Sequence, residues 1–200
     1  MIVVDVETTG VDPEINSIIG IGAVDFFNSK NQFYEECKIW YGAEITKKAL
    51  EINGFTFEQI TNSRKQSLES AILKFIEWAK NIEYRTFAGE NPAFDRDFLK
   101  ESVKIYKINW KPGHRTIDLH SLCYSHHLKR GIKPPIKEKI TDLDLNKTLN
   151  YVGLPPEPNP HNALVGAKYE AEAFSRLIYG KKLFDEFEKY PVPDYLRKKN

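Results

Sequence analysis

The sequence predicts an α/β fold: a mixed five-stranded sheet, three antiparallel strands followed by parallel ones, with helices on both faces. Three observations point there. Residues 1–40 hold three β-rich runs joined by short turns, the pattern of an antiparallel meander. Beyond residue 46 the apolar spacing changes to that of amphipathic helices. Short strand-like runs at 84–88 and 116–119 then alternate with those helices, and such alternation builds a sheet with both faces covered.

Val3-Val4-Asp5-Val6-Glu7 is an apolar strand that runs through Thr8 and Thr9 into a turn at Gly10. Asp12-Pro13-Glu14 and Asn16-Ser17 supply turn chemistry before a second strand at 18–27 and a third at 32–40. Residues 46–52 read as a short helix stopped near Asn53-Gly54, glycine being a natural terminator. In 67–80, Leu68, Ile72, Phe75, Ile76 and Ala79 share one helical face. The helix at 92–106 has Phe94, Phe98, Leu99 and Val103 as its inner stripe. Residues 116–127 pass from strand into helix, whereas 129–139, with Pro134-Pro135 and several basic residues, reads as an exposed loop. A helix at 143–152 ends at Gly153, and a long one spans 161–179, entered through Pro155, Pro156, Pro158 and Pro160. The expected organisation is one domain over 1–180 and a C-terminal extension over 181–200, in which Arg197, Lys198 and Lys199 read as a solubilising tail.

Two hundred residues are enough for one domain with a sizeable core. The 29 basic and 28 acidic residues leave a formal charge of +1, which is not the basic footprint usual in nucleic-acid-binding domains. A carboxylate-rich metal site would offset basic residues elsewhere, so that class stays open. Cys37 and Cys123 are too few for a disulfide framework and favour a reduced, cytoplasmic setting. The chain does not open like a signal peptide, and no apolar run approaches the roughly 20 residues that span a bilayer, so no membrane is expected among its partners.

Chemistry concentrates in three places. Side chains alternate along a strand, so Asp5 and Glu7 share a face. Adjacent carboxylates repel unless a cation sits between them, and such oxygen ligands suit Mg²⁺ or Mn²⁺. A solvated acidic face is the ordinary alternative, which the apolar Val3-Val4 and the low strand preference of Asp disfavour. Asp95 follows Asn91-Pro92-Ala93-Phe94 in the first turns of a helix, where negative charge is favoured by the dipole. His161 heads the last helix after a Pro-rich loop. Taken singly, Asp95 and His161 read as ordinary helix-start residues.

Together they say more. DVETTG near the N-terminus, NPAFD about ninety residues on, and HNALVGAKYEAE in the last helix resemble the three motifs of the DnaQ-like (DEDDh) 3′–5′ exonucleases, which include proofreading subunits and ribonuclease T-like enzymes. The resemblance runs from residue 2 to about 177, with IIGIGAV, TIDLHSL and LDLNKTLNYVGL agreeing in between. It implies a ribonuclease H-like fold and a two-metal phosphodiesterase acting on 3′ ends of single-stranded DNA or RNA to give nucleoside monophosphates. By position, Asp5 would bridge both ions, Glu7 would bind the first, Asp95 would hold the second partly through water, and His161 would be the general base. Two cations about 4 Å apart stabilise both the attacking and the leaving oxygen. Thr8, Thr9 and Gly10 would face the terminal nucleotide, and Asn91 and Phe94 would approach the substrate strand. DNA or RNA preference stays open, as does a homodimer of the kind several relatives form.

One departure stands out. The family pattern has an aspartate five residues after the histidine, where this chain has Gly166, and no Asp occurs anywhere in 162–173. Either another carboxylate substitutes, or the first ion binds weakly and the protein is a slow or inactive module that binds nucleic-acid ends. Glu170, one turn beyond Gly166, is the substitute within reach, against its ordinary reading as a solvated helix residue. On the missing-ligand view, Gly166→Asp should raise activity or metal affinity. Lys129, Arg130, Lys133, Lys137 and Lys139 form a basic cluster suited to gripping phosphates, or simply a soluble loop.

Overall fold

The computed structural model describes residues 1–197. Its sheet contains β1 (Ile2–Thr8), β2 (Ile18–Asp25), β3 (Gln32–Glu36), β4 (Phe87–Gly89) and β5 (Thr116–Asp118) in the order β3-β2-β1-β4-β5. The first three strands are antiparallel, while β4 runs parallel to β1 and β5 parallel to β4. The helices are α1 (Lys47–Asn53), α2 (Phe57–Thr61), α3 (Leu68–Lys80), α4 (Ala93–Ile105), α5 (Leu119–Lys129), α6 (Leu145–Tyr151) and α7 (Ala163–Tyr179). The mixed five-stranded sheet with helices on both faces is the fold the sequence predicts. No helix among the described residues is long and apolar enough to cross a membrane.

The alternation in β1 divides the core. Ile2, Val4 and Val6 pack with Leu68, Ile72 and Phe75 of α3 and with Phe98 and Leu99 of α4. Met1 and Val3 pack on the opposite side with Leu149 of α6 and Ala167, Ala171 and Phe174 of α7. Asp5 and Glu7 continue that second face, beneath α7. Gly22 opposes Asp5 across β2, and a Cβ there would lie 2.1 Å from the Ala163 carbonyl carbon. Glycine is therefore what lets the start of α7 descend onto the sheet, carrying His161 with it. Asn162 caps the helix by accepting from the Leu164 and Val165 amides, and Gly180 ends it at φ 67°.

Several boundaries differ from expectation. The third strand leaves the sheet after Glu36 because Lys38 and Ile39 donate instead to Gln66 and Ile60 carbonyls. Helix α2, not anticipated, is held by a capping box between Thr56 and Gln59. The expected 129–139 loop contains one arm of a small hairpin, β6 (Ile136–Lys137) and β7 (Ile140–Thr141), closed through Glu138 and Lys139 at positive φ. Neither turn residue is Gly or Asn, so the usual hairpin signal is missing.

Residues 181–197 pack onto α6 and α7 through a short 3-10 turn (Asp185–Phe187) and buried Phe187, Val192 and Leu196. The anchor is Arg176, 0% exposed, whose Nε donates to Glu172 Oε1 at 2.7 Å. Its other nitrogens donate to the carbonyls of Val152, Gly153 and Tyr190, and Glu172 Oε2 accepts from the Leu183 and Phe184 amides. Arg197 donates to the Val192 carbonyl and pairs with Asp194 rather than standing free. Lys198 and Lys199 of the expected tail lie outside the described residues.

Candidate active site

The two carboxylates of β1 meet a third from the other side of the sheet. Asp95, in the first turn of α4, reaches over β1, and its Oδ1 accepts from the Val6 amide at 3.0 Å. Burial, then the charge of Asp5, pushes Asp95 well above the usual carboxylate range. Asp5 is pushed up to about 7 by burial against the offsetting Val6 amide. Glu7 is pushed up to about 8 by burial, then by Asp5 and Glu157.

Glu157 belongs to no sequence-derived site. It stands in the Pro-rich loop ahead of α7, is 8% exposed, and is pushed up to about 8 by burial and then by Asp5. Its backbone amide donates to Asn146 Oδ1 at 3.2 Å, which fixes the loop to α6. Its Oε2 lies 3.6 Å from His161 Nδ1, and its Oε1 has no hydrogen-bond partner. Burial holds the His161 imidazole below its ordinary pKa. The His161 backbone amide donates to the Ile52 carbonyl at 3.1 Å, tying the imidazole to the end of α1. The neighbouring Asn53 side chain donates to the Thr8 carbonyl at 3.0 Å, so the same helix end also fixes the end of β1.

The missing acid at 166 acquires a physical reason. A Cβ on Gly166 would lie 2.2 Å from Asp5 Oδ2 and 3.1 Å from Glu157 Oε1. Glycine there leaves room for the Asp5 carboxylate as it stands, with Glu157 Oε1 close by. For Gly166→Asp to restore a ligand, Asp5 would therefore have to shift. Glu170 is not the solvated helix residue of its ordinary reading: it is 4% exposed, and Oε1 accepts from the Glu90 amide at 3.0 Å. Burial, then Asp5 and Asp95, raises it well above the usual range, and its Oε2 is unpartnered.

The expected substrate-facing residues divide. Asn91 is exposed, takes φ 52°, and donates its backbone amide to Asp118 Oδ1 at 3.3 Å. Phe94 is half-buried against Phe98. The Thr8 hydroxyl donates to the Gly10 carbonyl at 2.6 Å, and Gly10 is buried beside Asn16. Thr9 is a correction: its fully buried hydroxyl donates to the Glu44 carbonyl and accepts from the Ser17 amide, so it holds the turn and has no surface for a nucleotide.

The basic cluster is also split. Arg130 stacks on Tyr195 with its guanidinium carbon 3.7 Å from the ring centroid and donates to the Tyr151 hydroxyl. Lys137 and Lys139 ride on the exposed hairpin, whose Thr141 hydroxyl lies 3.1 Å from His120 Nε2. A cleft of about 530 Å³ between Asn91 and this hairpin is lined by Glu90, Asp118, Asp142 and Asp144 among others. A larger cavity of about 760 Å³, lined by Arg96, Lys104, Trp110 and His114 among others, shares no residue with the acidic group.

Oxygen donors of this kind suit a hard divalent cation. Among the described residues no group of three or more His, Cys, Asp or Glu side chains is arranged to hold a metal ion as it stands. The fit rests instead on donor type and on the unpartnered oxygens of Glu157 and Glu170, buried polar atoms that cost free energy until something binds them.

The family model RNase_T, described as Exonuclease, matches residues 2–174. DNA polymerase III PolC-type of Thermotoga maritima is 29% identical over 178 residues, which is 88% of this chain but only 12% of the polymerase. The 3'-5' DNA exonuclease Cap18 of Escherichia coli is 27% identical over 179 residues, covering 88% of this chain and 89% of that one. Among solved structures, the nuclease domain of 3'hExo, a DEDDh family member bound to rAMP, superposes with TM-score 0.64 at 16% identity, covering 96% of this chain and 95% of that one.

Proposed function

This chain belongs to the RNase T exonuclease family, and we propose that it is a metal-dependent 3′–5′ exonuclease releasing nucleoside 5′-monophosphates from single-stranded DNA or RNA. The observation that carries the reading is the convergence of Asp5 and Glu7 of β1 with Asp95 of α4, whose Oδ1 accepts from the Val6 amide between them, so close that Asp5 raises the pKa of both other carboxylates, with His161 beside Glu157 at the edge of the same group. Asp5, Glu7 and Asp95 would hold Mg²⁺ or Mn²⁺. Bound cations would supply Lewis-acid stabilisation of the charge that develops on the attacking and leaving oxygens.

The protein's own groups do the rest. His161 turns Nδ1 toward Glu157, which leaves Nε2 as the nitrogen for the proton of the attacking water. Burial keeps that imidazole neutral near pH 7, the state a general base needs. The water oxygen bonds to the terminal phosphorus, and the bond from phosphorus to the 3′ oxygen of the preceding nucleotide breaks. The monophosphate departs, and the shortened strand keeps a 3′ oxygen that takes a proton from solvent. Asn91 and Phe94, four and one residues before Asp95 in sequence, would guide the strand. The exposed Lys137 and Lys139 would meet phosphates further along it.

The test uses single strands of DNA and of RNA labelled at the 5′ end, with Mg²⁺, Mn²⁺ or chelator. Progressive shortening that the chelator abolishes supports the reading. Binding of ends with no shortening in either metal would replace it with a non-catalytic end-binding module.

A further inference from the structure

We infer that Glu157 supplies the metal-binding carboxylate that the family pattern places on the last helix, so that the ligand has moved from position 166 to the loop before His161. The inference rests on the proposed function and goes beyond it by naming a residue outside the family's motifs.

Two independent observations meet at this residue. First, Asp5 Oδ2 and Glu157 Oε1 both lie within 3.1 Å of the point where a side chain at 166 would begin. A carboxylate borne on the helix at 166 would extend into the volume that Glu157 already occupies. Position 166 and Glu157 are thus alternative sources for one acid, and the chain carries the second. Second, Glu157 is more than nine-tenths buried and its Oε1 has no hydrogen-bond partner, although it faces the carboxylate group. A buried oxygen left bare beside another carboxylate is unfavourable by itself and becomes favourable once a cation lies between them.

Glu170 fits this role less well. One of its oxygens is held by the Glu90 amide, and the other lies against Gly89, 2.9 Å from where a Cβ would be, not in the space vacated at 166. Glu157 also fits the general base. With Oε2 toward His161 Nδ1 and Oε1 toward Asp5, one side chain links the cation group to the imidazole.

The test is Mn²⁺ binding to the full chain, followed by electron paramagnetic resonance after chelator treatment and compared among wild type, Glu157→Gln and Asp5→Asn, with circular dichroism as a folding control. Glu157→Gln should weaken at least one Mn²⁺ by tenfold or more, and Asp5→Asn should lose binding altogether. If Glu157→Gln binds like wild type while Asp5→Asn does not, this inference falls and the proposed function stands. If Asp5→Asn binds like wild type, the proposed function falls too. Should Glu157→Gln not fold, wild-type crystals soaked in Mn²⁺ decide. An anomalous peak at direct ligand distance from Glu157, about 2.1 Å, supports the inference, and peaks bound only by other carboxylates overturn it.

Discussion

The Val6 amide donates to Asp95 Oδ1 across 89 residues of sequence, at 3.0 Å. One backbone group of the central strand thereby fixes the carboxylate that arrives from the far face, and it does so without needing the negative charge. Asp95→Asn retains the amide-to-oxygen bond and removes the charge. Cleavage should fall by roughly 100-fold or more, given several kcal/mol of cation stabilisation and about 1.4 kcal/mol per decade. The melting temperature in chelator should stay the same or rise, because a buried repulsion is relieved. A thermal melt alongside a cleavage assay checks both, and a large loss of stability would point to a structural role instead.

Gly166→Asp should lower activity and Mn²⁺ affinity, opposite to what the motif alone suggests. The new Cβ would arrive 2.2 Å from Asp5 Oδ2 and displace that carboxylate. A rise in either quantity would show that Asp5 yields at no cost.

Stability of the cation-free protein should fall as pH rises. Asp5, held near pH 7, and Glu7 and Glu157, held near 8, keep protons that the unfolded chain gives up near pH 4. Between those values the native state binds more protons, so the unfolding free energy declines with pH. The depressed His161 acts in the opposite direction below pH 6.5, as a single group against several. Melts at pH 5 and pH 8 in chelator should show the higher temperature at pH 5, and saturating Mg²⁺ should raise the pH 8 value by binding the ionised carboxylates. A melting temperature that climbs with pH in chelator would contradict this.

His161→Gln should cost roughly 100- to 10,000-fold in rate, the usual contribution of a positioned proton acceptor. Since burial sets the imidazole below its ordinary 6.5, protonation of this group should begin to limit the wild-type rate only below that pH. A pH–rate profile of both proteins at saturating metal checks the assignment, which fails if the variant keeps the wild-type rate.

The sequence was informative where chemistry and periodicity coincide. The five strands, their order along the chain and the convergence of Asp5, Glu7 and Asp95 follow from alternation in β1 and from motif order. Glu157 was not legible because the family motif points to the helix bearing Gly166, whereas this residue lies four residues before His161 in a loop of prolines. Thr9 misled for a different reason, since a threonine in a turn looks the same in sequence whether its hydroxyl faces a cleft or bonds inward to Glu44. The β6–β7 hairpin escaped because Glu138 and Lys139 are not residues that announce a tight turn.

Arg176→Ala should destabilise by roughly 3–5 kcal/mol, the usual loss when one partner of a buried pair is removed, and Glu172 would be left buried at 0% exposure. Chemical denaturation of variant and wild type measures it, and a loss under 1 kcal/mol would show that water enters to solvate Glu172.

The same guanidinium sets where the chain can be cut. Tyr190 accepts one of its hydrogen bonds, and Leu183 and Phe184 donate theirs to its carboxylate partner. A fragment ending at Gly180, the edge suggested by the family motifs, would strip the cap from both members of the pair and open the α6–α7 core to solvent. For this protein the minimal unit is drawn by the needs of one arginine, and it reaches well past the last residue with any part in the chemistry.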